Sequence, residues 1–156
     1  MSRTTRATLA LDKAKVAYRL HTYAYDGDAA RIGLQAAESL GVAPARVLKT
    51  LMAQVDGKPV CLVIPSDREA SMKKVAQAFG GKSAQMMKPA DAERLTGFHV
   101  GGISPFGQKK PVPTAVEAAA RDHALVFING GQRGLQVGLS PEEAVRALGA
   151  RFEALT

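Results

Sequence analysis

Lys49 stands inside an otherwise apolar run, Val47-Leu48-Lys49-Thr50-Leu51-Met52-Ala53, and a cation there has two fates. Its stem can snorkel to a solvated rim, in the simplest case as an edge-strand lysine that discourages aggregation. Alternatively its ammonium points into a pocket, where a ligand oxygen offsets the cost of partial burial. Two glycine-rich segments could face one site with it, Gly101-Gly102-Ile103-Ser104-Pro105 and Asn129-Gly130-Gly131-Gln132-Arg133-Gly134. Glycine lets a backbone approach a ligand closely, and bare N–H groups can hydrogen-bond a carbonyl or phosphate oxygen. Taken singly, such clusters are more often tight turns. Neither has the Gly-Lys-Ser/Thr ending of a Walker loop or the spacing of a Rossmann fingerprint, which disfavours nucleoside triphosphates and dinucleotides. Protein-borne nucleophiles are also weak: Ser104 is not in a nucleophile-elbow setting, and Cys61 lies inside the apolar run Val60–Ile64, where a buried thiol is inert. His21, His99 and His123 are isolated and read as structural or surface residues.

The elements that must carry these residues follow from period and punctuation. Thr4 to Ala14 has helical composition, a bend falls near Lys15, and Val16, Tyr18 and Leu20 then alternate as in a half-buried strand. A turn at Asp26-Gly27-Asp28 precedes a helix from Ile32 to Leu40 closed by Gly41, and Pro44 starts a short helical turn. Asp56-Gly57 joins the Lys49 strand to the Val60–Ile64 strand as a hairpin that Pro65 stops. Ser71 caps a helix to Phe79, ended by Gly80-Gly81, and Pro89 begins another to about Leu95. The stretch 101–113 takes an irregular, extended path suited to an active-site loop. Strands at Leu125–Ile128 and Leu135–Leu139 flank the second glycine segment, and Ser140-Pro141-Glu142-Glu143 opens a last helix ending near Gly149. Hairpin-length connections between strands exclude an all-parallel sheet. The expected fold class is α+β: one compact domain over residues 1–156, with a curved, mixed, largely antiparallel, barrel-like sheet and short surrounding helices.

Composition sets the outer limits. With 46% hydrophobic and 22% charged residues the 156-residue chain is an ordinary globular protein rather than a disordered one. A net charge of +7 favours a polyanionic partner through steering and counterion release, nucleic acid first. Only 5% of residues are aromatic and none is Trp, which argues against a base-stacking platform. One cysteine excludes an internal disulfide, and one cysteine with three scattered histidines gives no zinc spacing, so no metal and a reducing compartment are expected. The start Met1-Ser2-Arg3-Thr4-Thr5-Arg6 lacks an apolar signal region, and no apolar run approaches the ~20 residues of a membrane span. The expected location is the cytoplasm, with no membrane partner.

The segments Val47-Leu48-Lys49-Thr50-Leu51, Val100-Gly101-Gly102-Ile103-Ser104-Pro105-Phe106-Gly107-Gln108-Lys109-Lys110 and Gly130-Gly131-Gln132-Arg133-Gly134-Leu135 together resemble the YbaK/EbsC family, as does the early His21-Thr22-Tyr23. Their order and separation fit along nearly the whole chain. The resemblance implies a compact α+β fold shared with the editing insertion domain of bacterial prolyl-tRNA synthetases. It also implies an aminoacyl-tRNA deacylase that breaks the ester between a wrong amino acid and the terminal adenosine, without metal or organic cofactor. Partners implied are mischarged tRNA, tRNA(Pro) first, and prolyl- or cysteinyl-tRNA synthetase. On that resemblance Lys49 binds the acceptor end or aminoacyl group and fixes the ester without acting as nucleophile. Gly101 and Gly102 approach the ester by backbone, Ile103, Ser104 and Pro105 shape the pocket, and Tyr23 and Thr50 line it. Gly130 and Gly131 complete the substrate-binding set. For cysteinyl substrates the family implies attack by the substrate's own thiol; water assisted by the ribose hydroxyl is the alternative.

Three positions depart from the cysteine-editing pattern: Ile32 stands where Phe is common, Asn129 where Ser is, and Gln136 where Asp is. Loss of an aromatic wall and a carboxylate would change pocket size and binding of the substrate's α-ammonium. Cys-tRNA(Pro) is the leading substrate and another small aminoacyl-tRNA, such as Ala-tRNA(Pro), the alternative. A non-catalytic tRNA- or synthetase-binding module and a phosphate binder built on the glycine turns are rivals of other classes.

Overall fold

The computed structural model describes residues 4–24 and 32–156, with Ile32 and Gly33 described by backbone alone. The turn expected at Asp26–Asp28 lies outside the described residues. Helix α1 (Arg6–Lys13) is opened by a reciprocal cap in which the Thr5 hydroxyl accepts from the Thr8 N–H and the Thr8 hydroxyl from the Thr5 N–H. Lys15, at φ 58°, turns the chain toward β1 (Arg19–Thr22). The strand therefore starts later than the alternation from Val16 suggests, because Val16 is used to plug the core beneath α1.

Helix α2 (Ile32–Leu40) and a 3₁₀ turn (Pro44–Arg46) lead to β2 (Val47–Val55). Asp56 and Gly57 both have positive φ, 50° and 82°, the conformation of a two-residue hairpin turn, and β3 (Lys58–Pro65) returns along β2. Then follow α3 (Met72–Ala78), β4 (Ala84–Met86), α4 (Pro89–Thr96), β5 (Thr114–Glu117), β6 (Val126–Asn129), β7 (Leu135–Leu139), α5 (Pro141–Leu148) and β8 (Arg151–Glu153). Strands β4, β5 and β8 have no counterpart in the sequence reading.

All of these strands join one mixed sheet in the order β1-β7-β6-β2-β3-β5-β8, with β4 also on β2. The pairs β2/β6, β3/β5 and β5/β8 are parallel and the other four antiparallel. The sheet is open: β1 and β8 are its two ends, so the barrel-like closure in the expectation does not occur among the described residues. Alternation along β2 and β3 sorts side chains to two faces. Leu48, Met52, Cys61 and Val63 pack with α1, α4 and α5 residues on one, while Ala53, Val55, Leu62 and Ile64 pack with Val75 of α3 on the other. Val47 joins Ala36 and Ala37 of α2 and Phe127 of β6 on that second side.

Candidate active site

The site is a gap in the sheet. The ladder from β2 to β6 stops at Leu48↔Ile128, and the ladder from β2 to β4 on the same side starts only at Ala53↔Met86. Between them, residues 49–52 have no described strand beside them on that edge, although β3 pairs with all of them on the other. The Met52 carbonyl accepts from the Met87 N–H (3.0 Å) across this edge. Backbone groups two residues apart in a strand point the same way, so the Thr50 N–H and C=O face the gap as well. A cavity of ≈ 330 Å³ fills it, bounded by β2 from Val47 to Met52, by Met86, Met87, Pro89 and Ala92, by Val100, Gly101 and Ile103, and by Asn129 and Gln136.

Sheet alternation brings Lys49, Asn129 and Gln136 to one face: Lys49 is opposite Ile64, and Asn129 opposite Gln136. Thr50, opposite Val63, faces the other. The Lys49 side chain is 25% exposed, and its Nζ lies 3.8 Å from the carboxylate of Glu69, itself 88% exposed. Gln136 is only 4% exposed, yet among the described residues its Oε1 has no hydrogen-bond partner, and the buried Thr50 Oγ1 has none either. Unpaired buried oxygens are rare and costly in a folded chain, so two of them in residues that line one cavity suit it to a ligand with hydrogen-bond donors.

The two glycine segments are locked to each other. Asn129 Nδ2 donates to the carbonyls of Gly101 (3.3 Å) and Gln132 (3.4 Å), and its Oδ1 accepts from the N–H of Gly131 (2.6 Å) and Gln132 (3.3 Å). A Cβ on Gly102 would come within 2.8 Å of the Arg133 backbone nitrogen, so that glycine serves loop-to-loop contact. Gly131, at φ 90°, presses on Phe98 and α1, and the Gly130 carbonyl accepts from the Thr5 hydroxyl (2.5 Å). Close approach therefore serves packing at Gly102, Gly130 and Gly131, and of the described glycines only Gly101 reaches the cavity wall.

Of the sequence-derived candidates, Lys49, Thr50, Gly101, Ile103, Asn129 and Gln136 meet at the cavity. Ser104 does not: it is fully buried, its hydroxyl accepts from the Phe106 N–H and its carbonyl from the Gln108 side-chain amide. Pro105 turns to a different hollow, with Ala10 and Ala147. Tyr23 packs with the Ala36–Val47–Phe127 cluster behind the site. Ile32 begins α2, and its side chain lies outside the described residues. Cys61 is buried, which pushes its thiol up to about 12 despite hydrogen bonds from Gln108 and Thr114. Among the described residues no three His, Cys, Asp or Glu side chains gather. The sequence reading missed Met86, Met87, Pro89 and Ala92 as the far wall; the Met-Met pair just before the Pro89 helix start was the available signal.

The fold and site thus define a small α+β domain with a polar-lined cavity in a sheet gap beside one cation. Residues 28–147 match the family model of the aminoacyl-tRNA editing domain, and the chain belongs to that family, in agreement with the motif resemblance. It is 35% identical over 155 residues to EbsC of Enterococcus faecalis, named provisionally a Cys-tRNA(Pro)/Cys-tRNA(Cys) deacylase, with 97% of this chain and 93% of EbsC covered. A proline–tRNA ligase of Acidithiobacillus ferrooxidans is 35% identical over 84 residues, 54% of this chain but 15% of the ligase. A crystal structure described, again provisionally, as a trans-editing enzyme for prolyl tRNA synthetase superposes with a TM-score of 0.81 at 20% identity, covering 97% of this chain and 94% of that one, which supports the fold. Among the described residues no helix is long and apolar enough to cross a membrane.

Proposed function

We propose that this protein is a trans-editing deacylase that cleaves the ester of mischarged aminoacyl-tRNA, with Cys-tRNA(Pro) as its leading substrate. The observation that carries the reading is the β2 gap, where Lys49 shares a small cavity with the unpaired Gln136 Oε1 and the open backbone edge at Thr50. An aminoacyl ester offers what that cavity lacks. Its α-ammonium supplies donors for the Gln136 Oε1 and the Thr50 C=O, and its carbonyl oxygen accepts from the Lys49 ammonium. A volume of ≈ 330 Å³ is near the lower limit of ligand pockets and suits a small aminoacyl group.

Lys49 acts by position and charge. As a nucleophile adds to the ester carbon, negative charge builds on the carbonyl oxygen, and a cation held there stabilises the transition state more than the ground state. With a cysteinyl substrate, its own sulfur forms the new bond to that carbon. The carbon–oxygen bond to ribose then breaks, and the thiol proton ends on the ribose oxygen. With a substrate lacking a thiol, water takes the sulfur's place and the amino acid leaves as a carboxylate. Gln136, where a carboxylate is common in the family resemblance, gives the ammonium a neutral acceptor; this weakens the preference for cysteine and admits alanine.

The test is a deacylation panel of Cys-, Ala-, Ser- and Pro-tRNA(Pro) and Cys-tRNA(Cys). Cys-tRNA(Pro) is expected to turn over fastest, with thiolactone-derived products trappable. Rates equal to spontaneous hydrolysis on all five would end the enzyme reading, and a preference for Ala-tRNA(Pro) would move the substrate assignment.

A further inference from the structure

Helix α4 separates the cavity from a second hollow. Pro89 and Ala92 face the cavity, whereas Asp91, Arg94 and Leu95 face a groove of ≈ 560 Å³ whose other lining includes Lys109 and Lys110; Met87 borders both. The groove is strongly basic. Arg94 is paired with Asp91 at 2.8 Å, but among the described residues neither Lys109 nor Lys110 has an acidic group within ion-pair distance. Beside the groove, Arg6 and Lys109 pack on the same glycine: a Cβ on Gly97, at the end of α4, would lie 2.6 Å from the Arg6 guanidinium and 3.3 Å from the Lys109 Cβ.

These cations are held where they are by the backbone. The Lys109 and Lys110 N–H groups donate to the carbonyls of Thr96 (2.8 Å) and Leu95 (3.3 Å) at the end of α4, which fixes this stretch of chain while both side chains stay exposed. Satisfying those carbonyls calls for the lysines' amides and leaves their ammonium groups unused. Arg94, Lys109 and Lys110 thus stand against the single carboxylate of Asp91 among the described lining, and such a surface favours an anionic counterpart.

We infer that this groove binds the phosphates of the RNA strand leading to the aminoacylated 3′ end, so that the strand crosses Met87 and delivers its terminal ester to Lys49. The inference rests on the deacylase reading for the direction of the strand. It assigns Arg94, Lys109 and Lys110 a role in substrate capture apart from the chemistry.

The experiment measures binding of the full-length protein to an uncharged RNA hairpin with an acceptor-type duplex and a single-stranded 3′ overhang, across a salt series. Arg94→Gln/Lys109→Gln/Lys110→Gln should bind more weakly, with a log–log salt slope shallower by roughly 0.7–0.9 for each phosphate that is no longer neutralised. Lys13→Gln/Lys73→Gln, which removes two exposed cations elsewhere, should retain the wild-type slope. Removing the overhang from the hairpin should abolish the difference between wild type and the groove variant. A groove variant with wild-type affinity and slope, or a control pair that loses as much per charge, overturns the inference, as does an unchanged difference on the blunt hairpin. Deacylation is assayed separately on wild type, so failure to turn over any substrate strikes the deacylase reading and leaves the binding result to be read on its own.

Discussion

Near the C-terminal residues the Glu117 carboxylate, in a residue only 5% exposed, accepts from the N–H groups of Ala119, Leu155 and Thr156 and from the Thr156 hydroxyl, at 2.9–3.0 Å. At the β2 gap Gln136, equally buried, leaves an amide oxygen with no partner among the described residues. One region uses buried polarity to close the fold and satisfies every lone pair it can. The other withholds partners from the groups that a substrate must meet, which costs stability in the free protein and is recovered on binding. If this contrast is right, substitutions in the two regions should separate activity from stability in opposite directions.

The largest effect is expected at Lys49. Lys49→Ala should lower kcat/KM for the best substrate by on the order of 10²–10³, the usual loss when one stabilising group is removed from a developing oxyanion. Its thermal midpoint should stay close to wild type, because among the described residues the ammonium makes only a long ion pair with an exposed partner. A variant that keeps its turnover but melts early would reverse the contrast.

Glu117→Ala should do the opposite. It strands the buried Leu155 N–H and removes the acceptor of the half-buried Ala119 and Thr156 N–H groups, and should cost about 2–3 kcal/mol in denaturant unfolding, with kcat of the folded fraction retained. Burial pushes the Glu117 carboxyl up, but the hydrogen bonds from Ala119, Leu155 and Thr156 outweigh burial and hold its pKa below the ordinary value. For a depressed carboxylate the added stability is present above the unfolded pKa, about 4.3, and is lost as pH falls through the folded pKa. Wild type should therefore lose stability in that acid window, and Glu117→Gln should be flatter there. Parallel acid limbs would show that Glu117 does not anchor this corner.

Gln136→Met sharpens the comparison further. Replacing an unpaired amide by an apolar side chain of similar size should leave stability unchanged or slightly raised. Losing one acceptor for the substrate's ammonium should lower kcat/KM roughly ten-fold, read as a rise in KM. A loss of stability would mean that the amide oxygen is satisfied in solution and that the gap is not poised for a ligand.

The chain's order of elements was legible wherever local chemistry decided it. Ser71 and Ser140 cap helices, Asp56-Gly57 turns a hairpin, and Gly41 and Gly149 end helices at positive φ. What local pattern could not reveal were strands made only by pairing: β4 and β8 are three residues each, and β5 follows a proline-rich stretch that reads as loop. Missing β4 hid the gap itself, since a gap exists only between two ladders. The glycine motifs drew attention to the correct loops for a reason that differs from the one observed. Their bare backbone brings Gly102 against Arg133, and through Asn129 the two loops hold Gly101 at the cavity. Ser104 lies in the same motif but turns inward to cap Phe106, a consequence of the chain reversal at 104–108 that spacing along the sequence does not reveal.

The smallest effect belongs to Glu69, the acid within ion-pair distance of Lys49 among the described residues. Its carboxylate is 3.8 Å away and almost wholly in water, so the pair is worth well under about 1 kcal/mol. In the free protein it is a loose counter-ion; when an ester carbonyl or a phosphate arrives, Lys49 must leave it. Glu69→Gln should therefore leave the melting temperature unchanged and lower KM by no more than a few-fold at low ionic strength, an advantage that fades as salt shortens the range of exposed charges. A rise in KM instead would mean that the carboxylate holds the ammonium in its working position, and Lys49 would then depend on a surface loop as well as on β2.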